Sequence, residues 1–315
     1  MGVATVLPRR SGDTAPSMQR LRALVLLAGA LRRGRLAPSI GRPVFDLPLE
    51  DRCTLLDAWR REAKRVARDL SLADLPVRIM IDQATADPQK QPAASADLAP
   101  ARIERDPLDF RGTGGVLRDL AAEYADNDLL LVANAAQVLL EPLGDLLADL
   151  AAPGAAVSII SHRDGTASGL LLVRCAALRE LPATGFIDMK EQGLPSIAAA
   201  HRVMVVERPT ASALPVSTLQ GYIEALRRHH RRRAGKSSSG SPFEEAWESS
   251  FAIVEDDASV GPTARLHDSV VLGGGRVEAG AVVVRSVVCP GGVLRRGRMT
   301  VDDLVAPPSK ARLRS

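Results

Sequence analysis

The chain has 315 residues, a formal net charge of +4 and 46% apolar residues, which is enough for one large soluble domain and a smaller one. Its positive charge is diffuse and accompanies no nucleic-acid recognition motif, so we do not expect nucleic acid as a partner. No apolar run is long enough to cross a membrane. Three widely spaced cysteines, Cys53, Cys175 and Cys289, indicate a reducing cytoplasm rather than disulfides or a metal site.

The first part of the chain alternates strand and helix signals. Residues 1–20 are polar and predict a flexible extension. The apolar run at 23–27 predicts a buried strand, and a basic stretch at 32–35 follows it, where backbone N–H and guanidinium groups can converge on phosphate. Helical spacing at 54–70, a strand at 77–81 and a mobile loop at 82–100 come next. We therefore expect a doubly wound α/β domain.

A glycine-rich stretch, Gly112-Thr113-Gly114-Gly115, precedes a predicted helix at 116–124. Glycines at the beginning of a helix let a ligand approach the backbone closely, although a simple loop and cap would also use them. A strand at 128–132 follows and leads to Asn134 and Ala136. The later predicted elements are helices at 143–150, 175–181 and 222–233, and strands at 157–161, 169–173 and 203–207.

Asp188, Lys190 and Glu191 form a charged cluster before an amphipathic stretch. An Asp three residues before a Glu is a variant of the capping box, so this cluster could begin a helix. The same side chains could instead contact a polar ligand, and both interpretations stay open at this point.

The C-terminal part has a different pattern. A Gly/Ser-rich stretch at 234–243 predicts a linker. Apolar residues then recur every six positions at Val254, Val260, Leu266 and Leu272, and after a slip at Val282, Val288 and Leu294. This period predicts a short left-handed parallel β-helix at 244–305, with about seven hexads or nearly two coils, and a tail at 306–315. Because so short a β-helix cannot be stable alone, it should dock on the first domain or on another subunit.

Residues 27–49 resemble the signature of the sugar-phosphate nucleotidyltransferases, the NDP-sugar pyrophosphorylases that include mannose-1-phosphate guanylyltransferase. That signature reads L-A-G-G-x-G-T-R-L-x-P and continues with P-K-P-x-x-P. The chain has Leu27-Ala28-Gly29 and, with one extra residue between, Arg35-Leu36-Ala37-Pro38; residues 43–49 resemble the second half. Ala30 replaces the second glycine and Val44 replaces the lysine. Several members of the family also carry a C-terminal β-helix.

The resemblance implies a Rossmann-like nucleotidyltransferase domain of the α/β class at 21–233 and assigns two groups of site residues. The segment after Asp188 resembles the one that closes the sugar side of the family's cleft. The implied nucleotide-binding residues are Gly29, Arg35, Gly112, Thr113, Gly114 and Asn134, and the implied sugar-binding residues are Asp188, Lys190 and Glu191.

The family holds Mg²⁺ between two phosphates with two Asp side chains. Here Ala136 stands at the first position, and Val216 or Ser217 at the second. One hypothesis is therefore a divergent enzyme that joins an NTP to a sugar 1-phosphate and uses Mg²⁺ if it is active. The other is a non-catalytic relative that binds a nucleotide or sugar nucleotide and regulates or scaffolds a partner. We also expect a homo-oligomer, because short β-helices expose an end and flat faces.

Overall fold

The computed structural model describes residues 18–29, 36–86, 95–106, 111–163, 165–235 and 250–307. The predicted extension up to residue 17, Arg35, the predicted linker from residue 236, the beginning of the predicted β-helix and the tail from residue 308 lie outside the described residues.

Residues 18–235 alternate strands and helices. The elements are β1 (Leu21–Leu27), α1 (Leu36–Ile40), β2 (Pro48–Glu50), β3 (Cys53–Thr54), α2 (Leu55–Asp69), β4 (Val77–Ile81), β5 (Ala101–Arg105), α3 (Gly112–Ala121), β6 (Leu129–Asn134), β7 (Gln137–Leu139), α4 (Leu143–Ala151), β8 (Val157–His162), β9 (Ala167–Arg174), α5 (Cys175–Arg179), α6 (Leu194–Ala200), β10 (Val203–Arg208), β11 (Ala213–Pro215) and α7 (Leu219–Gly235). Single turns at Met18–Arg20 and Val44–Asp46 are 3-10 helical, and Met189–Gly193 forms a π-helical turn.

The central sheet has seven strands in the order β10-β8-β9-β6-β1-β4-β5. Strand β9 is antiparallel to both of its neighbours, and the other strand pairs are parallel. The α/β class is therefore confirmed, but the sheet is mixed. The physical reason is the short connection after β8, where His162 N–H donates to Thr166 O at 2.8 Å. Such a tight turn can join only antiparallel strands.

Helices cover both faces of this sheet. On one face α2 and α4 pack through Trp59, Ala63 and Leu146 against alternate residues of β1, β4 and β6. On the other face α3 and α5 pack through Leu117 and Leu178. Helix α2 begins at a capping box in which Thr54 and Asp57 satisfy each other's backbone N–H groups. The β1 strand is consequently buried on both faces, as its apolar run predicts.

Residues 250–307 form short parallel strands arranged in three sheets. The strands are β12 (Ala252–Val254), β13 (Ser259–Val260), β14 (Arg265–His267), β15 (Ser269–Val271), β16 (Arg276–Val277), β17 (Val282–Val284), β18 (Val287–Val288), β19 (Val293–Leu294), β20 (Met299–Val301) and β21 (Leu304–Val305). The sheets are β12-β15-β18-β21, β13-β16-β19 and β14-β17-β20. This arrangement is compatible with a β-helix, and within the described residues it comprises three rounds of three strands and the first strand of a fourth, more than the two coils expected.

The repeat of these strands is 17 residues long, as in the pairs Val254↔Val271 and Leu266↔Val283. The corner after each third strand is one residue in the left-handed region, at Asp268 (φ 48°), Arg285 (φ 45°) and Asp302 (φ 54°). Each such corner shortens one of the three sides of a repeat from six residues to five, so the repeat has 17 residues rather than 18. The hexad positions proposed at Leu272 and Val282 were therefore wrong by one residue; the residues packed inside the coils include Val271 and Val283.

The first of the three sheets packs on the α/β part of the chain. Ile253, Val270 and Leu272 belong to one buried cluster with Val216 and Tyr222. A partly buried ion pair joins the same two parts, because both η nitrogens of Arg42 donate to Glu255, at 2.7 and 3.2 Å. The expectation that the C-terminal strands dock on the α/β domain through Val and Leu side chains is confirmed.

The three cysteines are buried and free of disulfides, as the sequence predicts. A cytoplasmic location stays a prediction. No helix in the described part of the chain combines the length and the apolar character needed to span a membrane.

Candidate functional site

The order of the central sheet defines a crevice at its carboxyl edge. From β1 the chain proceeds to β4 and β5 on one side and then returns to β6 on the other. Connections that leave in opposite directions open a crevice between the two strand ends, where open α/β sheets bind their ligands. Gly29 lies two residues after the end of β1, and Asn134 ends β6. The two strand ends are adjacent, since Leu27 pairs with Asn134 and Leu27 O accepts from Ala135 N–H at 3.1 Å.

Gly29 lies against the turn that follows β4. A Cβ at this position would be 2.7 Å from the backbone nitrogen of Asp82, closer than side chains ordinarily approach. Arg105 holds that turn by donating from Nη1 to the carbonyl oxygens of Asp82 at 2.7 Å and Thr85 at 3.1 Å. The glycine therefore permits close packing of two loops, and its role toward a nucleotide stays a prediction.

The glycine-rich stretch at the beginning of α3 contacts the segment that contains Asp188. Gly114 N–H donates to Ile187 O at 2.8 Å, and the Thr113 hydroxyl accepts from Met189 N–H at 3.0 Å. Gly112 adopts φ 66°, and a Cβ there would clash with the Ile187 carbonyl. The fold thus brings the glycine-rich part of the predicted nucleotide-binding residues into contact with the segment that contains the predicted sugar-binding residues. These backbone contacts are already made within the chain itself.

The cluster at Asp188 begins the π-helical turn. Asp188 Oδ1 accepts from the backbone N–H groups of Lys190 and Glu191, both at 2.9 Å, and Gln192 Oε1 accepts from Asp188 N–H at 2.9 Å. The capping interpretation is therefore confirmed. The Lys190 and Glu191 side chains are exposed, so contact with a sugar is sterically open to them and stays a prediction.

The two positions where the resemblance places metal-binding Asp residues lie side by side. Val216 N–H donates to Ala136 O at 3.0 Å, and the two residues are 0% and 1% exposed. Both belong to the apolar cluster that also contains Tyr222, whose hydroxyl donates to Pro48 O. Ser217, the alternative second position, accepts from Leu36 N–H through its carbonyl oxygen at 3.3 Å.

The donor set at this point does not fit Mg²⁺. Magnesium prefers carboxylate and water oxygens, and Ala136 and Val216 present only methyl groups. Across the described ranges, no three His, Cys, Asp or Glu side chains lie close enough together to hold a metal ion. Asp126 and Asp128 lie before β6, at the opposite end of the strand, where they pair with Arg179 and Arg22.

One polar residue at the crevice was not among the predicted site residues. Gln137, which begins β7 directly after Ala136, is 6% exposed, and its Nε2 atom has no hydrogen-bond partner in the part of the chain that the structure describes. The only sequence signal was an amide beside the degenerate metal position. The sequence could not show that the Gln137 amide N–H is left unsatisfied, because this depends on the residues that pack around it.

A second cleft of about 1330 Å³ lies between the β2–β3 hairpin, the beginning of α2 and strand β12. The described residues that line it include none of the predicted site residues. Its buried acidic groups are paired, for example Glu50 with His229 at 2.6 Å and with Arg233. Burial raises the pKa of the Cys53 thiol to about 11, so that thiol is protonated at neutral pH. The cleft offers no activated nucleophile among these residues.

No protein-family model matches the chain, and no curated protein matches it. Solved structures do match. The crystal structure of the Mycobacterium tuberculosis rv0371c homologue from Mycobacterium sp. strain JC1 is 17% identical, with a TM-score of 0.45, over 68% of this chain and 98% of that chain. The crystal structure of HddC from Yersinia pseudotuberculosis complexed with GMP-PN is 12% identical, with a TM-score of 0.47, over 65% and 98%. Neither likeness is close enough to assign a function.

Proposed function

We propose that the chain is a nucleotidyltransferase-like protein that binds a nucleotide or nucleotide sugar at the carboxyl edge of the sheet without transferring the nucleotidyl group. The observation that supports this most directly is the adjacency of Ala136 and Val216. The fold places them next to each other, as a two-carboxylate metal site requires, and both are apolar and buried. A protein of this kind would regulate or scaffold a partner through its ligand.

The crevice supports binding in two respects. It is the place where an open α/β sheet admits a ligand, and the amino-acid sequence that follows Gly29 is basic. The segment from Gly29 to Leu36 contains Arg32, Arg33 and Arg35. Its described ends lie at β1 and beside the Ser217 carbonyl. Guanidinium groups bind phosphate oxygens with two parallel hydrogen bonds, which suits a nucleotide.

The experiment is calorimetric titration with NTPs and NDP-sugars, in Mg²⁺ and in EDTA, at low and high salt. We expect an affinity that does not depend on Mg²⁺ and that falls with salt, because exposed charge pairs are screened. We also expect no measurable pyrophosphate release, since removing one preorganised transition-state contact alone costs about 10²–10³ in rate. Robust Mg²⁺-dependent pyrophosphate release with one sugar 1-phosphate would instead establish the divergent enzyme, and no binding in any titration would refute the proposal.

We further propose that residues 244–305 form a left-handed β-helix and that 21–233 and 244–305 are the two domains. The 17-residue repeat with three strands per repeat supports the β-helix. The glycines at Gly274, Gly280, Gly291 and Gly297 adopt positive φ at the corners, where a coil has to turn sharply.

The outer face of β17 and β20 supports assembly into a homo-oligomer. Val282 pairs with Met299 and Val284 with Val301, and Met299 and Val301 are 68% and 40% exposed. Apolar side chains in neighbouring strands form a flat patch of the kind that marks protein interfaces. Light scattering at micromolar concentration should give a mass above that of one chain, and a monomer would contradict the proposal.

A further inference from the structure

The carboxyl-edge crevice contains one buried polar group that the fold itself leaves unsatisfied. We propose that Gln137 is a ligand-binding residue whose side-chain amide donates a hydrogen bond to an oxygen of the bound nucleotide or nucleotide sugar. This inference rests on the proposed function and names a residue that neither the signature nor the glycine-rich stretch includes.

The burial of Gln137 is unfavourable in the ligand-free protein. The residue pairs through its backbone with Pro215 on β11, so its position is fixed. The residue is only 6% exposed, and no described residue accepts a hydrogen bond from its Nε2 atom. An unsatisfied buried donor is unfavourable, because it has lost water as a partner and gained no other. Nearly all buried polar groups in native proteins are satisfied, and an acceptor oxygen of a ligand would satisfy this donor.

The surroundings of Gln137 place this donor at the crevice. A Cβ on Gly169 would be 3.3 Å from Asn134 Cβ and 3.5 Å from Gln137 Oε1, so Gln137 lies near Asn134 at the end of β6, and Gly169 leaves open the space that a side chain would fill. Asn134 Oδ1 already accepts from Ala136 N–H at 2.9 Å. The Asn134 oxygen is therefore used within the chain, whereas no described residue accepts from the Gln137 amide.

The chemistry of an amide donor fits a site without metal. An amide N–H is uncharged and selects an acceptor oxygen, which a phosphate, a ribose or a sugar hydroxyl provides. Ala136 and Val216 cannot hold a cation to neutralise such an oxygen, so a direct hydrogen bond from Gln137 would partly replace that interaction. A neutral donor also agrees with binding that does not respond to Mg²⁺.

The test compares Gln137→Met and Gln137→Glu with Gln19→Met as the matched control. Gln19 lies before β1, at the opposite edge of the sheet, and its amide donates to Leu70 O in an exposed position. Calorimetry with UDP, UDP-glucose, GDP and GDP-mannose should show about tenfold weaker binding for Gln137→Met, as expected for one lost hydrogen bond. Gln137→Glu should bind still more weakly, because a carboxylate faces the acceptor oxygen. Gln19→Met should bind like the wild type.

A thermal melt without ligand separates this role from a structural one. Gln137→Met removes an unsatisfied buried donor with little change in volume, so its Tm should equal or exceed that of the wild type. A clear drop in Tm would show that the amide is satisfied within the fold and would overturn the inference.

Comparing each nucleoside diphosphate with its sugar conjugate shows which part of the ligand carries the acceptor oxygen. Weaker binding of both the diphosphates and the sugar conjugates places the oxygen on the nucleoside diphosphate; weaker binding of the conjugates alone places it on the sugar. Both results support the inference. If the wild type binds and Gln137→Met binds equally well, the inference is wrong and the proposed function stands. If the wild type binds none of the four compounds, the proposed function fails and this inference fails with it.

Discussion

Deletion of residues 244–315 should leave an α/β part that aggregates. The C-terminal part of the chain supplies six residues to a buried cluster whose other members come from residues 36–226: Phe251, Ile253, Val270, Leu272, Val287 and Cys289. Without those strands Tyr222 and its neighbours would face solvent as one contiguous apolar surface, which promotes association. Size-exclusion chromatography after purification measures the result. A truncated protein that is soluble, monomeric and as stable as the full chain would contradict it.

A pair of point variants tests the same contact within the full chain. Val270 is 0% exposed and packs against the α/β part, whereas Val293 is 43% exposed on another side of the C-terminal strands. Val270→Asp should lower the free energy of unfolding by about 4 kcal/mol or more, since it buries a charge without a partner. Val293→Asp should change that free energy by less than about 1 kcal/mol. Urea unfolding curves give both values, and similar losses would exclude a specific interface at Val270.

The spacing of apolar residues in the sequence predicted those helices and strands that have a clearly buried face. The strand predicted at 77–81 has the observed bounds, and α2 and α4 agree within a residue or two. Strand β5 was missed; it begins directly after the loop predicted at 82–100. It is an edge strand with the sequence Ala-Arg-Ile-Glu-Arg, and its side chains are only partly buried, so it needs no apolar run. An edge strand is defined by its neighbour β4, which the sequence alone does not specify.

The six-residue period predicted a β-helix, with which the observed strands are compatible, but it misplaced two interior positions, at Leu272 and Val282. The positions of Val254, Val260 and Leu266 were correct for the first round. The single left-handed residue at Asp268 then shortened the round, and every later assignment depended on where the slip was placed. A corner of one residue has no distinctive composition, because Asp, Arg and Asp occupy the three equivalent corners. Strand pairing across 17 residues therefore had to come from the structure.

At the candidate site too, some features could be predicted from the sequence and others depend on the folded structure. The family resemblance placed the two metal-ligand positions at Ala136 and at Val216 or Ser217, and the fold places Ala136 and Val216 in contact although they are 80 positions apart in the chain. The burial of both residues and the unsatisfied amide of Gln137 are tertiary properties. No spacing rule predicts them, because each depends on what packs around the residue rather than on its neighbours in the sequence.

Ala136→Asp should destabilise the protein strongly, by about 3–5 kcal/mol at pH 7. The side chain would enter a cluster of apolar residues in which the methyl group is 1% exposed, and burial of an unpaired carboxylate is among the most costly substitutions. Burial raises the pKa of such a carboxyl in the folded state above its unfolded value of about 3.9. The loss should therefore be largest at neutral pH and should shrink as the pH falls toward 4. Ala148→Asp, on the exposed side of α4, should cost less than about 1 kcal/mol.

Adding the second carboxylate tests whether these positions correspond to a lost metal site. In Ala136→Asp with Val216→Asp, two carboxylates would lie on backbones joined by the 3.0 Å hydrogen bond between Val216 N and Ala136 O. Their mutual repulsion would be relieved by a divalent cation, so Mg²⁺ should raise the Tm of the double variant by selective binding to the folded state. Neither the wild type nor either single variant should respond as strongly. A double variant that folds but does not respond to Mg²⁺ would show that the two positions are adjacent without forming a metal site, and the resemblance to the nucleotidyltransferases would then lose its main structural support.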